Sequence, residues 1–598
     1  MSKYILNTMY LKAKYVQNDG ANKEFVPMKR VCDDALLMVI KDDETNTSEI
    51  KIIERPTIEY YTVKKEYQET VNPWQELYMD KSMLDCHVVE YTRRDYDICN
   101  FLGIADEYSR KKKEANRRYF DWMEAQQARN EFKKFMNQKV YMSPFVYDAD
   151  ENLEVYWKTK LTRENGWYDP PRQLNLSFYD IETLIARFKT KVDQNNPIAP
   201  INIITYCNTK KKHFYALVLR LQEVKEVQSE IERDIQKYIT DYEIDKDFED
   251  SDYDLKIVFF DSEILLIKAF FQLLHEDKPD FALAWNNNYD NKYMIGRAKI
   301  LGLKPADLFC HPDIPEKYRG SFQFCEDPGR QENDNKFNAK AKKGEFSRLW
   351  DWIIAPGYTC FIDQMSLYSN LRKRYIKRSY KLGAIASEEL GVTKVDLHEF
   401  GITIRNAVFK DFKRFLKYSI RDTLLLDKLE AKNEDVKQYI SLTDNTDLRM
   451  GTHESMIIRN TFYNTFLDND QIIGNAVDYG VSESVQGAVV QNPTLVNVEP
   501  VIINGHKTRI YQSVVDFDAK SLYPSLINQH QIGKENHAYR VISIVDKYGK
   551  LIMNGERFNS LLQTKDVTIV DLAHELYGLP NIEDVLSDVE EKLFDTVK

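Results

Sequence analysis

The sequence is short of the features that mark secreted and membrane proteins. Its seven cysteines are scattered, with no CxxC pair and no His at the spacing of a zinc site. No run of about 18 apolar residues occurs, and the first residues contain no apolar signal segment with a cleavage site. These absences predict reduced thiols, no passage through a membrane and a cytoplasmic location.

Positive charge is also in deficit, because the net charge is -11. Binding to phosphate depends on Lys and Arg, so this value argues against a nucleic-acid partner. A whole-chain sum averages over all faces, however, and the acidic run at 241–254 is expected to be a solvated loop or helix face. A basic run at 110–118 is either another solvated face or a contact to a nucleic-acid template. Charge alone therefore excludes little.

What is present fits a large globular protein. A chain of 598 residues predicts about three folding units, and 43% hydrophobic residues are enough for real cores. Apolar runs predict strands at 173–178, 201–206, 255–260 and 281–285, and helices at 126–135, 264–274 and 409–434. A polar stretch at 321–345 is expected to be a loop or hairpin, and a further strand is expected at 510–518. This order predicts an α/β core followed by a separate strand-rich segment.

Three separate segments carry acidic residues that could form a carboxylate cluster. Asp180 and Glu182 lie two apart in a strand and therefore point to one face, where they could share a metal ion. Asp290 follows a strand and a run of asparagines, which could equally be a turn that caps a helix. Tyr418 and Asp422 share one face of a helix, as a solvated face would also allow. Each of the three segments alone is weak evidence for a functional site.

The fourth segment is more specific. An apolar strand at 514–517 runs into Asp518 and then the string Ser-Leu-Tyr-Pro-Ser at 521–525. Core packing gives little reason for this combination. We therefore regard Asp518 as a candidate functional residue.

Together, the four segments resemble the exonuclease and first polymerase motifs of family B DNA polymerases. The family order is D-x-E, then N-x2-3-(F/Y)-D, then Y-x3-D, then D-x2-SLYPS, and this chain repeats that order with similar separations. A segment at 486–493 also resembles the link between the two catalytic domains. Within the family the chain looks most like polymerases of large tailed bacteriophages, which would place it in the host cytoplasm.

The resemblance implies roles for these residues. Asp180, Glu182, Asp290 and Asp422 would hold two Mg2+ or Mn2+ ions, with Tyr418 orienting the attacking water of a 3′-5′ exonuclease. Asp518 would be the first of two metal-binding aspartates of the polymerase site. Ser521, Leu522 and Tyr523 would bind the incoming dNTP. Basic residues interleaved with tyrosines would bind single-stranded DNA, unless they form a solvated helix face: Arg372, Lys373, Arg374, Lys377, Arg378 and Lys381.

The implied fold is multidomain, α/β and α+β. We expect an N-terminal domain at 1–172 that is completed by 435–500 in the family pattern, a ribonuclease H-like exonuclease domain at 173–434 and a partial palm at 501–598. The later family motifs K-x3-N-S-x-Y-G and Y-x-D-T-D-S do not occur in the sequence. We therefore expect DNA synthesis to need a second polypeptide with the fingers, the remaining palm and the thumb, through which a sliding clamp would attach. A chain fragment is the other explanation.

Two further hypotheses stay open. The chain could be a self-sufficient 3′-5′ exonuclease with a vestigial palm. It could also be a non-catalytic scaffold that binds DNA or replication proteins. The complete set of exonuclease carboxylates favours an enzyme.

Overall fold

A computed structural model gives the fold of most of the first 476 residues. It describes residues 3–12, 14–17, 28–72, 75–117, 122–249, 251–327, 350–372, 379–395, 397, 403–444, 446–451 and 454–476, together with four short strands further on. The chain separates into two compact units, Met1–Val481 and Ser482–Lys598. Within the described ranges, no helix has both the length and the apolar character needed to cross a membrane.

The N-terminal part of the first unit contains two three-stranded sheets. The strands are β1 (Lys3–Leu11), β2 (Lys14–Gln17), β3 (Met28–Cys32), β4 (Ala35–Asp42), β5 (Thr47–Glu54), β6 (Thr57–Val63), β7 (Tyr78–Asp80), β8 (Leu84–Glu90) and β9 (Val146–Tyr147). One sheet has the order β1-β4-β5 and the other β8-β6-β9, while β2 pairs with β3. Strand β4 is buried on both faces, because alternate residues enter two different apolar clusters.

Four helices follow β8, three of them packed against the second sheet and the last packed mainly against β1 and β4 of the first. They are α1 (Arg94–Phe101), α2 (Ala105–Ala115), α3 (Trp122–Met136) and α4 (Leu153–Asn165), and a π-helical turn (Asn137–Tyr141) extends α3. The expected helix at 126–135 is therefore confirmed as part of α3. Helix α4 begins where the Asn152 side chain accepts bonds from the amides of Glu154 and Val155, and it ends at Gly166, which has a φ of 70°.

A six-stranded mixed sheet forms the centre of the next part. Its strands are β10 (Leu176–Thr183), β11 (Ile201–Asn208), β12 (His213–Leu219), β13 (Asp254–Phe260), β14 (Phe281–Ala284) and β17 (Cys360–Asp363). Their order is β13-β12-β11-β10-β14-β17. Strands β10, β11 and β12 are antiparallel neighbours, whereas β14 runs parallel to both β10 and β17. The four strands expected between 173 and 285 are confirmed, although β10 begins later than 173.

Helices pack around this sheet and bury the largest apolar cluster of the described residues. They are α5 (Lys225–Arg233), α6 (Ile235–Asp241), α7 (Ile244–Asp247), α8 (Glu263–Asp277), α9 (Asn287–Ile300), α10 (Pro305–Phe309), α12 (Gln364–Leu371), α13 (Leu382–Leu390), α14 (Ile404–Lys410), α15 (Phe412–Asn433) and α16 (Asp435–Leu442). Two further helices, α11 (Glu316–Arg319) and α17 (Glu454–Asp468), contribute instead to apolar clusters of the N-terminal sheets. The acidic run at 241–254 lies on short, mostly exposed segments, but Ile244 within it is buried.

The remaining strands are short. Strand β15 (Gln323–Cys325) pairs with β16 (Trp352–Ile354), so the stretch that begins at 321 does form a hairpin at its base, and residues 328–349 lie outside the described residues. Strand β18 (Gln471–Ile473) pairs with β7. In the second unit, β19 (Val501–Ile503) pairs with β20 (His506–Thr508) and β21 (Ser543–Val545) with β22 (Leu551–Asn554). The strand expected at 510–518 lies outside the described residues.

The long helix expected at 409–434 is in fact two helices. Asp411 separates α14 from α15 with a φ of -148° and a ψ of 80°, and its side chain accepts a hydrogen bond from the Arg414 amide at 3.0 Å. An Asp at this place favours a helix start because it satisfies an amide that has no partner within the helix. Helix α15 therefore begins at its own cap.

A buried ion pair joins the N-terminal sheet to the central sheet. The Lys41 ammonium on β4 lies 2.5 Å from the Asp280 carboxylate just before β14, and both side chains are 1% exposed. Asp280 also accepts hydrogen bonds from the Ser48 hydroxyl at 2.7 Å and from the Asn175 amide at 2.8 Å. The beginning of β14 is therefore fixed to the N-terminal sheet.

Candidate active site

The expected carboxylates come together at one edge of the central sheet. Asp180 and Glu182 lie on β10, next to β14. Helix α9 begins soon after β14 and carries Asp290 in its first turn. The helix begins at Asn287, about one turn before the start expected near Asn291, so Asp290 lies on the helix itself.

Helix α15 packs on the central sheet and carries Asp422. Asp180 lies directly opposite Thr205 on β11, so both side chains point to the same face. The Thr205 hydroxyl lies 2.6 Å from the hydroxyl of Thr423, the residue after Asp422. This buried contact holds α15 against the strands and places Asp422 on the same face as Asp180.

Helix α9 is held from the other face of β10. The Tyr179 hydroxyl lies 3.1 Å from the Asn287 side-chain oxygen and 2.8 Å from that of Asn291. Tyr179 is fully buried. Asn287 and Asn291 therefore do more than form a turn. Their contacts with Tyr179 fix the first turn of α9, which carries Asp290.

The electrostatics of the four carboxyl groups are those of a cluster. Burial raises the pKa of Asp180 to about 7, and the charge of Asp422 adds to this effect. The pKa of Glu182 is raised well above its ordinary value by burial and then by the charges of Asp180 and Asp422. Burial, followed by the charges of Asp180, Asp363 and Glu182, raises the pKa of Asp290 in the same direction. Each group thus makes ionisation of its neighbours harder.

Lys394 is the site residue that sequence reasoning missed. Its ammonium contacts the Asp422 carboxylate and lies 3.3 Å from the Tyr418 hydroxyl. It also lies 5.2 Å from the centre of the Tyr418 ring. Burial raises the pKa of Asp422, and the ammonium of Lys394 acts against that rise. Lys394 lies between α13 and α14, outside any motif of the sequence, so only its contacts identify it.

The donor set suits a hard divalent cation. All four side chains offer oxygen, which Mg2+ and Mn2+ prefer. Asp422 Oδ1 is buried and has no hydrogen-bond partner in the described part of the chain. As the side chains stand, no three His, Cys, Asp or Glu residues among those described are arranged to hold a metal ion. The chemistry of the site therefore fits a cation, although no formed metal cage is present in the described ranges.

The remaining candidates divide into two groups. Asp518, Ser521, Leu522 and Tyr523 lie outside the described residues, as do Lys373, Arg374, Lys377 and Arg378. Arg372 is described, and its guanidinium donates to Asp435 at 2.8 and 3.0 Å and lies 4.1 Å from the Tyr368 ring centre. Lys381 is exposed at the start of α13. DNA binding by this segment stays a prediction.

Comparison with known proteins supports the first part of the resemblance. Residues 118–347 match the family model described as DNA polymerase family B, exonuclease domain. This range includes Asp180, Glu182 and Asp290 but ends before Lys394 and Asp422. This match supports the exonuclease domain expected from the motifs, and the central mixed sheet is consistent with a ribonuclease H-like fold.

Two curated relatives are similar over less than half of the chain. The DNA polymerase delta catalytic subunit of Schizosaccharomyces pombe (strain 972 / ATCC 24843) is 22% identical over 279 residues, which is 46% of this chain and 23% of the relative. The protein of the same name from Candida albicans is 23% identical over 262 residues, 42% of this chain and 22% of the relative. The chain thus aligns with less than a quarter of each relative.

Proposed function

We propose that this chain is a divalent-metal-dependent 3′-5′ exonuclease that removes nucleotides from the 3′ end of DNA. The observation that carries the proposal is the convergence of Asp180, Glu182, Asp290 and Asp422 from one strand and two helices, where charges of this cluster help to raise the pKa of Asp180, Glu182 and Asp290. Such a set of buried acids is costly unless a cation balances it. The family model over 118–347 supports the same activity.

The four carboxylates would hold the metal ions. When bound, divalent ions lower the pKa of a water and stabilise the leaving oxygen in phosphodiester hydrolysis. The residues of the chain bring the groups to one place: β10 fixes Asp180 and Glu182, the asparagines of α9 fix Asp290, and Thr423 fixes Asp422. A cleft built on strands and helices keeps these positions within the tolerance that catalysis requires.

Tyr418 and Lys394 act beside the carboxylates in this proposal. The Tyr418 hydroxyl faces the cleft, and burial and then the charge of Asp422 raise its pKa, so it stays protonated and can donate a hydrogen bond to an oxygen of water or phosphate. The Lys394 ammonium holds the Tyr418 hydroxyl and Asp422 together. We assign Lys394 as a positioning residue, because its contacts are with these two side chains.

At a finer level, the chain is part of a replicative family B polymerase that proofreads DNA. The motif from Asp518 to Ser525 supports this assignment. In this proposal Asp518 is the first palm aspartate, and Tyr523 with Ser521 and Leu522 binds the dNTP. A second polypeptide supplies the fingers, the remaining palm and the thumb, together with the contact to a sliding clamp. From the resemblance of the sequence to polymerases of large tailed bacteriophages, we also propose that this assembly works in the host cytoplasm.

An exonuclease assay tests the main proposal. The full chain is incubated with Mg2+ and a 5′-labelled single strand, and a ladder of shortened labelled strands is expected. The double variant Asp180→Ala/Glu182→Ala should leave the strand intact. A matched control, Glu226→Ala/Asp241→Ala, removes two exposed acids and should degrade DNA as the unchanged chain does. Release of the label as a mononucleotide, or a fully active Asp180→Ala/Glu182→Ala chain, would refute the proposal.

The same assay separates the finer alternatives when a primed template and dNTPs are added. Extension only in the presence of a second polypeptide with the later motifs supports a divided polymerase. Shortening without extension under either condition favours a self-sufficient exonuclease. Extension by this chain alone would contradict the assignment of the second aspartate to a partner, and binding without any shortening would favour a scaffold.

A further inference from the structure

A basic helical hairpin projects from the N-terminal part of the first unit. We define the basic hairpin as residues 105–117 and 122–139, which cover α2, α3 and most of the π-helical turn. The sequence from 105 to 139 contains ten Lys and Arg and six Asp and Glu, a local charge of +4. This sign is opposite to the net charge of -11 for the whole chain, so the positive charge is concentrated here.

The cations of the basic hairpin point into solvent. Its exposed basic side chains without an ion pair to any other described residue are Arg110, Arg117, Arg129, Lys133, Lys134 and Lys139. Arg129 and Lys133 are one turn apart on α3 and therefore lie side by side. The acids of the segment lower the net charge to +4 but leave these six cations without an ion pair among the described residues, so the surface fits a polyanion.

The inner face of the basic hairpin is firmly packed. The Tyr108 ring on α2 lies 5.8 Å from the Phe132 ring on α3, and Lys111 bridges to Glu131 at 3.4 Å. Phe135 and Met136 are buried in a cluster with residues of the sheet β8-β6-β9. The backbone that carries the exposed cations is therefore already ordered, which lowers the entropic cost of binding.

We propose that the basic hairpin binds the phosphate backbone of DNA at a surface separate from the carboxylate cleft. Phosphates spaced along a strand match several exposed cations on two packed helices, and such contacts carry affinity without base specificity. The choice of DNA rests on the proposed function, while the positive surface itself does not. An acidic protein is the competing occupant.

Binding measurements on the full chain test this proposal. The variant Arg110→Gln/Lys133→Gln/Lys134→Gln removes three exposed cations of the basic hairpin. The matched control, Lys51→Gln/Lys225→Gln/Lys237→Gln, removes three exposed lysines elsewhere in the first unit. Fluorescence anisotropy with labelled single-stranded and duplex DNA, in EDTA to prevent hydrolysis, gives the affinity from 50 to 200 mM salt.

The expected result is a change in salt dependence. The slope of log affinity against log salt is negative, and each lost phosphate contact reduces its magnitude by about 0.7 for single strands and about 0.9 for duplex. We expect the hairpin variant to lose about 2 units of slope and to bind at least about tenfold more weakly at 50 mM salt, while the control keeps the slope of the unchanged chain. The probe with the larger loss identifies the strand type that the surface binds. An equal slope for all three proteins on both DNA probes would overturn the proposal. So would a hairpin variant that binds DNA as the unchanged chain does but has lost affinity for labelled poly-glutamate, the probe for an acidic protein.

A kinetic measurement separates this inference from the exonuclease proposal. With an active chain, the hairpin variant should raise KM for DNA and leave kcat at saturating DNA unchanged. If the unchanged chain fails to degrade DNA but the slope still falls in the variant, the exonuclease proposal fails and the inference stands. If degradation proceeds with the same KM and the same slope, the inference fails and the exonuclease proposal stands.

Discussion

The buried pair of Lys41 and Asp280 allows a stability prediction with a magnitude. Both side chains are 1% exposed, and their charged atoms are 2.5 Å apart. Replacing Lys41 by Met keeps most of the apolar stem of the side chain but leaves the Asp280 carboxylate buried without its cation. Removal of one partner of a buried pair costs about 3 to 5 kcal/mol. Two hydrogen bonds to Asp280 remain, so we expect the lower end of that range, about 3 kcal/mol.

The pair of Lys3 and Glu49 provides a matched control on the same N-terminal sheet. Its atoms are 2.7 Å apart, but the side chains are 26% and 59% exposed. Solvent screens a pair of this kind, and its loss costs at most about 1 kcal/mol. Lys3→Met and Lys41→Met thus make the same chemical change at similar distances from a carboxylate and differ in burial.

Urea denaturation of the full-length variants, followed by circular dichroism, measures the difference. We expect the transition of the Lys41→Met chain to move to markedly lower urea and that of the Lys3→Met chain to stay near the original midpoint. Asp280→Asn removes the negative charge beside Lys41 and leaves one acceptor oxygen where Ser48 and Asn175 use two, so it should destabilise the chain at least comparably. Equal midpoints for Lys3→Met and Lys41→Met would refute the reasoning that burial decides the strength of this pair.

Three further predictions concern ionisable groups. Lys394→Met removes the contact to Asp422 and should lower the exonuclease rate about 10- to 100-fold, as loss of outer partners of metal ligands does; an unchanged rate would contradict the positioning role. Because burial raises the pKa of Asp180 to about 7, and those of Glu182 and Asp290 are also raised, protons compete with the metal, and Mn2+ affinity measured by calorimetry should rise as the pH is raised from 6 to 8; a flat profile would contradict this. Burial raises the pKa of Glu430 to about 8 from an ordinary 4.5, so between these values only the unfolded chain ionises and folding is disfavoured as pH rises. Glu430→Gln should therefore denature at higher urea than the original chain at pH 8 and at the same urea near pH 4, with a gain of up to about 1.4 kcal/mol per pH unit between them; equal midpoints at both pH values would show that this group stays ionised when folded.

The sequence identified the carboxylates because their local spacing reflects local geometry. Asp180 and Glu182 two apart in a strand, and Tyr418 and Asp422 four apart in a helix, each share a face by the period of the element. The apolar runs likewise indicated β11, β13, β14 and α8, because burial in a sheet or against it requires such runs. These features follow from the local sequence alone and need no tertiary contact.

Other features depend on contacts between distant parts of the chain. Lys394 follows no motif, and only its approach to Asp422 places it in the site. Arg372, which its sequence assigns to a basic segment, is bound to Asp435 at 2.8 Å.

The approach of the separate carboxylates was likewise decided by packing, as the contact of Thr205 with Thr423 illustrates. A local pattern fixes which face a side chain takes, whereas the neighbours of that face are chosen by the packing of the whole core. By itself the sequence therefore determined the chemistry of the cleft, and the tertiary structure decided which cations stand beside it.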